Sequence, residues 1–306
     1  MLAIEVLETP AKVLSQAQRE NYFLNGYLGI PGLVDDAWLT RLRAVTAGYV
    51  DISRTLDHRS IGSDGVKDKR FDLEPDHTSA APRIRRLNSP VDIDDEYWAF
   101  ASEGPFVAIA QDLLGEDVKF HHSKLNFKWS GGGEEVRWHQ DIQFWPHTDF
   151  SPLTIGVYLD DVDDSMGPMG VIPSSHKGTL YNQYSQDGQW VGPINAEDVG
   201  QIDGSEAARL TGPAGSVTVH NCCMVHGSLP NNSPKPRPLL LQTYSRADSY
   251  PISHIGANGV TGRLSGAVVG GDSGQSIVIE GRTVLGAPDW SRSGAPTIFG
   301  SQQDEV

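Results

Sequence analysis

Cysteine is nearly missing from this sequence: two residues, adjacent at Cys222 and Cys223, in a chain of 306. Neighbouring cysteines make a poor structural disulfide, so a disulfide-stapled secreted scaffold is excluded and a reducing compartment is implied. Long apolar runs are absent as well. Nothing approaches the roughly 18 residues that a membrane-spanning helix needs. The opening MLAIEVLETPAKV lacks the basic start and apolar stretch of a secretory signal, and SQQDEV is no known address, so a cytoplasmic location is expected. Basic residues are scarce too: 24 Lys and Arg face 39 Asp and Glu, a net charge of −15. That balance argues against nucleic acid or an anionic membrane as partner, and against a bulky polyanionic substrate unless a basic patch forms locally. One candidate patch runs from 54 to 86, where eight basic residues (among them Arg83, Arg85 and Arg86) meet six acidic ones. On charge patterning it reads as a solvated loop.

Glycine and proline are plentiful, 33 and 19 residues, which favours strands and tight turns over a helical bundle. The first segments read helix, short strand, helix: QAQRENYFLN closing at Gly26, then YLGIPGLV, then an apolar stripe at helical spacing after an Asp N-cap. Residues 51 to 82 are polar and punctuated, which suggests a long loop that could act as a lid. Asp94 to Leu114 reads as helix, closing at Gly115. Beyond it, Val118 to Trp129 and Val136 to Trp145 alternate, and further strand-like runs begin at Leu153, Met169, Ser216 and Leu239. Short strands with Gly/Pro turns predict an antiparallel sandwich or barrel. In the Gly- and Ser-rich tail, SIVIEGRTVL predicts a hairpin turning at Glu280-Gly281. With no repeat or linker evident, the expectation is one domain over 1–306, mainly β with N-terminal helices.

The chemistry gathers in the β region. Two histidines and a carboxylate on one face of an iron ion leave open positions for a co-substrate and O₂. His139-Gln140-Asp141 supplies two such groups inside an alternating segment, where residues two apart project to one side. A second pair, His147 and Asp149, lies between Pro146 and Pro152 and reads as a turn. Downstream, His220 and His226 precede a Pro/Asn/Ser turn, with Arg237 after it. A hairpin there would set a third ligand beside a guanidinium suited to the far carboxylate of a bound 2-oxo acid.

Together WHQDIQFWP, GPMGVIPSSHKG and VHNCCMVHGSLPNNSPKPR resemble the phytanoyl-CoA dioxygenase family in order and spacing. The resemblance runs from about Asn21 to Ser245. It implies a double-stranded β-helix (a jelly roll) using Fe(II), 2-oxoglutarate and O₂ to hydroxylate a small molecule, with release of succinate and CO₂. By the same resemblance, His139, Asp141 and His226 match iron ligands and Arg237 matches the arginine that holds 2-oxoglutarate. Ser228, Lys124 and Tyr158 fall at further 2-oxoglutarate contacts, and Asn126 would share the strand face of Lys124. His220 and His176 are expected to support or pack. Asp141 argues against a halogenase, which needs a small residue at that place.

Two departures from the family stand out. Leu239 occupies the place where many relatives carry the serine of Arg-x-Ser, and Ser174 stands where glycine is usual before His176. The acidic net charge favours an amino-acid-like or natural-product substrate, with an acyl-CoA as the alternative. A non-catalytic jelly-roll binding protein and a metal hydrolase are the rivals from other classes. Adjacent cysteines point apart on a strand, which counts against a zinc site built on Cys222, Cys223 and His226.

Overall fold

A computed structural model describes residues 3–56, 70–130, 135–252, 262–272 and 276–285. Its longer helices are α1 (Ala3–Glu8), α2 (Gln16–Asn25), α3 (Asp36–Ile52), α4 (Asp95–Glu103) and α5 (Pro105–Leu114). Ser15 and Gln18 form a capping box on α2, Gly26 ends it in the left-handed region at φ 83°, and Asp35 caps α3. The helical stretch expected over Asp94 to Leu114 is two helices, not one. Pro105 cannot donate its amide and disfavours a helical residue before it, so Gly104 turns out extended and α5 restarts at the proline.

Strands follow the alternation: β1 (Tyr27–Ile30), β2 (Phe71–Leu73), β3 (Ile84–Asn88), β4 (Val118–Lys128), β5 (Val136–His139), β6 (Leu153–Tyr158) and β7 (Met169–Val171). After them come β8 (Ala208–Leu210), β9 (Val217–Asn221), β10 (His226–Ser228), β11 (Arg237–Arg246), β12 (Val268–Gly270), β13 (Ser276–Ile279) and β14 (Arg282–Leu285). The large sheet runs β1-β9-β6-β11-β4-β3-β2, with β12 also on β4, and a smaller one runs β5-β10-β7-β8. All of these pairs are antiparallel. This is the expected jelly roll, mainly β with flanking helices. The tail forms the predicted hairpin β13–β14, with Glu280 and Gly281 at φ 49° and 73°.

Two cores separate the faces of the large sheet. Leu125 of β4, Leu240 and Tyr244 of β11, and Ile155 and Val157 of β6 pack with Phe100, Phe106 and Ile109 of the helices. On the other face, Tyr158, Leu239 and Leu241 pack with Met169 and Val171 of the small sheet and with Met224. The strand period therefore sends the other set of β4 residues (His122, Lys124, Asn126 and Lys128) toward the space between the sheets.

The 51–82 loop is shorter than expected. Helix α3 runs to Ile52, and Phe71–Leu73 is a strand, because Phe71 buries its ring against Tyr49 while Leu73 packs on the same core. Residues 57–69, where a lid would lie, fall outside the described residues. The strand expected over Val136 to Trp145 stops at His139, and a 3-10 turn takes Asp141–Gln143. Among the described residues no helix is long and apolar enough to cross a membrane.

Candidate metal centre

Cross-strand register assembles the centre. His139, last residue of β5, pairs directly with His226, first residue of β10, and their rings lie 4.1 Å apart. Gln140 stays extended at φ −127°, ψ 124°, so Asp141 still projects to the side of His139 although it begins the turn. Nε2 of His139 and Nε2 of His226 each lie 3.8 Å from Asp141 Oδ1. Within the described residues this is the one group of three or more such side chains whose donor atoms converge, all within 4.8 Å.

The surroundings orient each donor. His139 Nδ1 donates to the carbonyl of Arg137 at 2.8 Å, and His226 Nδ1 to that of Met224 at 3.0 Å. Both Nε2 lone pairs therefore face each other and Asp141, as metal-binding imidazoles require. Asp141 Oδ2 accepts from Thr154 Oγ1 and His220 Nε2, each at 3.4 Å, which leaves Oδ1 toward the histidines. Gln140 is fully buried and fixes the span between the ligands. Its amide donates to Thr179 and Cys223 carbonyls and accepts from the Tyr181 N–H, while its backbone N–H donates to Gln183.

The electrostatics suit a cation. Burial first, then the neighbouring His139 and His220, holds His226 well below the usual histidine range; burial lowers His139 too. Both imidazoles are neutral at physiological pH, the form that binds a metal. Burial works against an ionised Asp141 and is the largest single influence, but the Lys124 ammonium, His226 and the hydrogen bond from His220 together outweigh it and keep the carboxyl well below the usual carboxylate range. A neutral-neutral-anionic N,N,O set on one side of an open cavity fits Fe(II).

The cavity beyond the triad is about 680 Å³. His139, His226, Lys124, Asn126, Ser228 and Arg237 all line it. Arg237 is 3% exposed, and its Nε and Nη1 are buried with no hydrogen-bond partner. Orphaned guanidinium donors are costly, and a carboxylate arriving there removes the cost. Tyr158 is the exception among the predicted contacts. It sits behind Arg237, its ring 5.8 Å from the guanidinium carbon, does not line the cavity, and takes the Met169 N–H on its hydroxyl at 3.0 Å. Leu239, at the departed serine position, joins the apolar core between the sheets.

Sequence reasoning missed Lys128, Thr154 and Gln140. Lys128 faces Arg237 across β4 and β11 and donates to the Ser228 and Leu229 carbonyls. Only the alternation of β4 hinted at it. His147 is buried and bonded to the Trp145 carbonyl, away from the triad, as its proline-flanked position predicted. Cys222 and Cys223 are free and buried, but they lie in a turn after β9 and not on a strand, so their sulfurs do not point apart as expected and lie 3.9 Å from each other.

Comparison with known proteins gives a consistent picture. The family model for phytanoyl-CoA dioxygenase (PhyH) matches residues 22–239. A probable alpha-ketoglutarate-dependent hypophosphite dioxygenase of Stutzerimonas stutzeri is 34% identical over 203 residues, 65% of this chain and 71% of that one. L-Proline trans-4-hydroxylase of Streptomyces griseoviridis is 29% identical over 252 residues, 76% of this chain and 87% of that one. In three dimensions, EctD from S. alaskensis with bound Fe superposes with a TM-score of 0.63 at 23% identity, covering 78% of this chain and 79% of that one. That last likeness speaks for the fold.

Proposed function

The chain belongs to the phytanoyl-CoA dioxygenase family, and from that premise we propose that His139, Asp141 and His226 hold Fe(II) while Arg237 fixes 2-oxoglutarate for the hydroxylation of a small organic molecule. It is an Fe(II)- and 2-oxoglutarate-dependent dioxygenase, and its relatives include a probable alpha-ketoglutarate-dependent dioxygenase and a hydroxylase of a small molecule. The observation that carries the site assignment is the convergence of three ligand side chains at one end of a cavity whose wall holds the unpartnered donors of Arg237. When bound, iron and 2-oxoglutarate supply the oxidising power: O₂ is split, 2-oxoglutarate leaves as succinate and CO₂, and one oxygen atom goes to the substrate.

The protein's own groups then have definable tasks. His139 and His226 offer neutral Nε2 atoms, and Asp141 offers the one anionic oxygen. Thr154 and His220 keep that carboxylate from turning. Arg237 gives a planar fork to the far carboxylate, and Tyr158 backs the guanidinium rather than touching the ligand. Ser228, Lys124 and Asn126 line the same cavity and complete the polar lining around 2-oxoglutarate. Leu239, Leu241 and Met169 form an apolar wall beside them that limits water. We read 1–306 as one catalytic unit. A cytoplasmic location is supported by the unpaired cysteines.

The direct test is anaerobic addition of Fe(II), then 2-oxoglutarate, watching for the weak visible band of a chelated keto acid. Iron demonstrably bound with no band would overturn the reading.

Lys128 adds a pH dependence. Burial, followed by the Arg237 guanidinium, lowers its ammonium to about 7. A carboxylate docked on Arg237 cancels that repulsion and raises the lysine again, so binding takes up a proton. The half-saturating 2-oxoglutarate concentration should be flat below pH 7 and rise above it, by up to about tenfold per pH unit, until the raised value is passed. Titrations from pH 6 to 9 check this, and Lys128→Met should remove the rise. An equal rise in both proteins would refute the assignment.

A further inference from the structure

The cavity holds more positive charge than iron and 2-oxoglutarate account for. The 54–86 stretch, which reads as a solvated loop in sequence, delivers Arg86 on β3 to the cavity wall. Register sets Arg86 opposite Asn126 and Asn88 opposite Lys124, while Leu239 of β11 lies on the other side of Asn126. Arg86, Lys124, Lys128 and Arg237 therefore face one space from three adjacent strands, and Arg137 joins them at the exposed rim. Against them the cavity wall carries Glu74 and Glu135, with Asp141 set among the histidines. Iron brings two positive charges and 2-oxoglutarate two negative ones, so their joint arrival leaves the excess in place. In a chain with net charge −15 this is a local reversal of sign.

Arg86 is only weakly committed elsewhere. Its ion pair with Asp72 is long, 3.7 Å, and its Nε is buried without a hydrogen-bond partner. The neighbouring Asn126 Oδ1 is likewise buried and unpartnered. Clustered cations with open donors repel one another and carry a desolvation cost, which an anion between them relieves. Arg237 and Lys128 face each other as one cross-strand pair, and Arg86 lies one strand farther out, in the row of Asn126. An anion on Arg86 would thus sit beside 2-oxoglutarate, not in its place.

Resting on the oxygenase reading above, we propose that the substrate is a small organic anion whose carboxylate or phosphorus oxyanion is bound by Arg86. The guanidinium holds the charged end in its fork, and the rest of the molecule extends toward the triad. A fixed anchor at the wall sets which carbon faces the iron, so regiochemistry follows from the distance between the anionic group and the C–H bond attacked.

The test uses iron-loaded protein with 2-oxoglutarate, without oxygen, at constant ionic strength. Propanoate and methylphosphonate are the probes, with propanamide as the neutral isostere of the first. At least one anion should perturb the keto-acid band saturably, propanamide should not, and whichever anion binds tighter identifies the headgroup. Arg86→Met should weaken that anion by roughly tenfold or more, and Arg86→Lys by less. Half-saturation by 2-oxoglutarate should move by less than about threefold, because the two anchors are separate. Propanamide acting as well as propanoate, or anion binding unchanged in Arg86→Met, overturns the proposal. Calorimetry with the same anions reads Arg86 even where no band forms, so a missing band counts against the oxygenase reading alone.

Discussion

Asp141→Ala should lose iron and turnover together, with metal affinity falling by more than the roughly 10- to 100-fold typical of a supporting residue. Asp141 supplies the one anionic donor of the triad, and it does so from a buried position, 3% exposed. Without it, two neutral imidazoles must hold a dication beside Lys124. Burial already lowers the Lys124 ammonium, and Asp141 is the group that counteracts this most. The variant therefore removes a ligand and leaves a buried cation without its counter-charge, two penalties of the same sign for Fe(II). Metal content after dialysis and succinate release under saturating 2-oxoglutarate both report the loss. Asp141→Glu keeps the charge but moves it by one methylene, and should retain more iron than activity. Iron binding within tenfold of wild type in Asp141→Ala would remove Asp141 from the centre.

The sequence made much of this centre legible, for a definable reason. His139 and Asp141 are two residues apart, where strand period dictates the face they share. The hairpin expected to set Arg237 beside His226 does not form, because β10 pairs with β5 and β7 in the small sheet while β11 brings Arg237 to the cavity from the large one. The His-x-Asp argument survives even though β5 ends at His139, because Gln140 keeps an extended backbone. Ser174 shows the opposite case: serine stands where glycine is usual, yet it adopts φ 64°, its hydroxyl within reach of Asn25 at 3.2 Å. The backbone turn is kept although the residue best suited to it is not. What was hidden depends on long-range register. Arg86 looked like one charge in a mixed loop until β3 paired with β4 and aimed it into the cavity. Tyr158 shares a cross-strand row with Leu239, but its ring lies behind Arg237, which no local pattern encodes. Gln140 and Thr154 bond to groups far along the chain or across the sheet, and alternation alone cannot name such partners.

Arg237→Met should weaken 2-oxoglutarate by roughly 30- to several-thousand-fold, the range for removing one partner of a buried charge pair, while making the ligand-free protein more stable. The two effects share one cause. In the absence of 2-oxoglutarate, Arg237 is a nearly buried cation whose Nε and Nη1 have no partner, and burial lowers its guanidinium from the usual range. A methionine of similar length pays no such desolvation cost and packs beside Leu239 and Tyr158, so melting should rise by a few degrees, as expected for about 1 kcal/mol in a protein of this size. It also relieves Lys128 of its cationic neighbour. Because the lost contact is to the far carboxylate and not to the iron-binding end, saturating 2-oxoglutarate should restore much of kcat, and the defect should appear in its KM. Arg237→Lys, which keeps charge but not the fork, should lie between the two. A keto acid without the far carboxylate closes the argument. Wild type should prefer 2-oxoglutarate over pyruvate by about the factor that Arg237→Met loses, and the variant should scarcely distinguish them. If the variant kept the wild-type preference, another cation of the cavity, with Lys124 the first candidate, would be the one that holds 2-oxoglutarate.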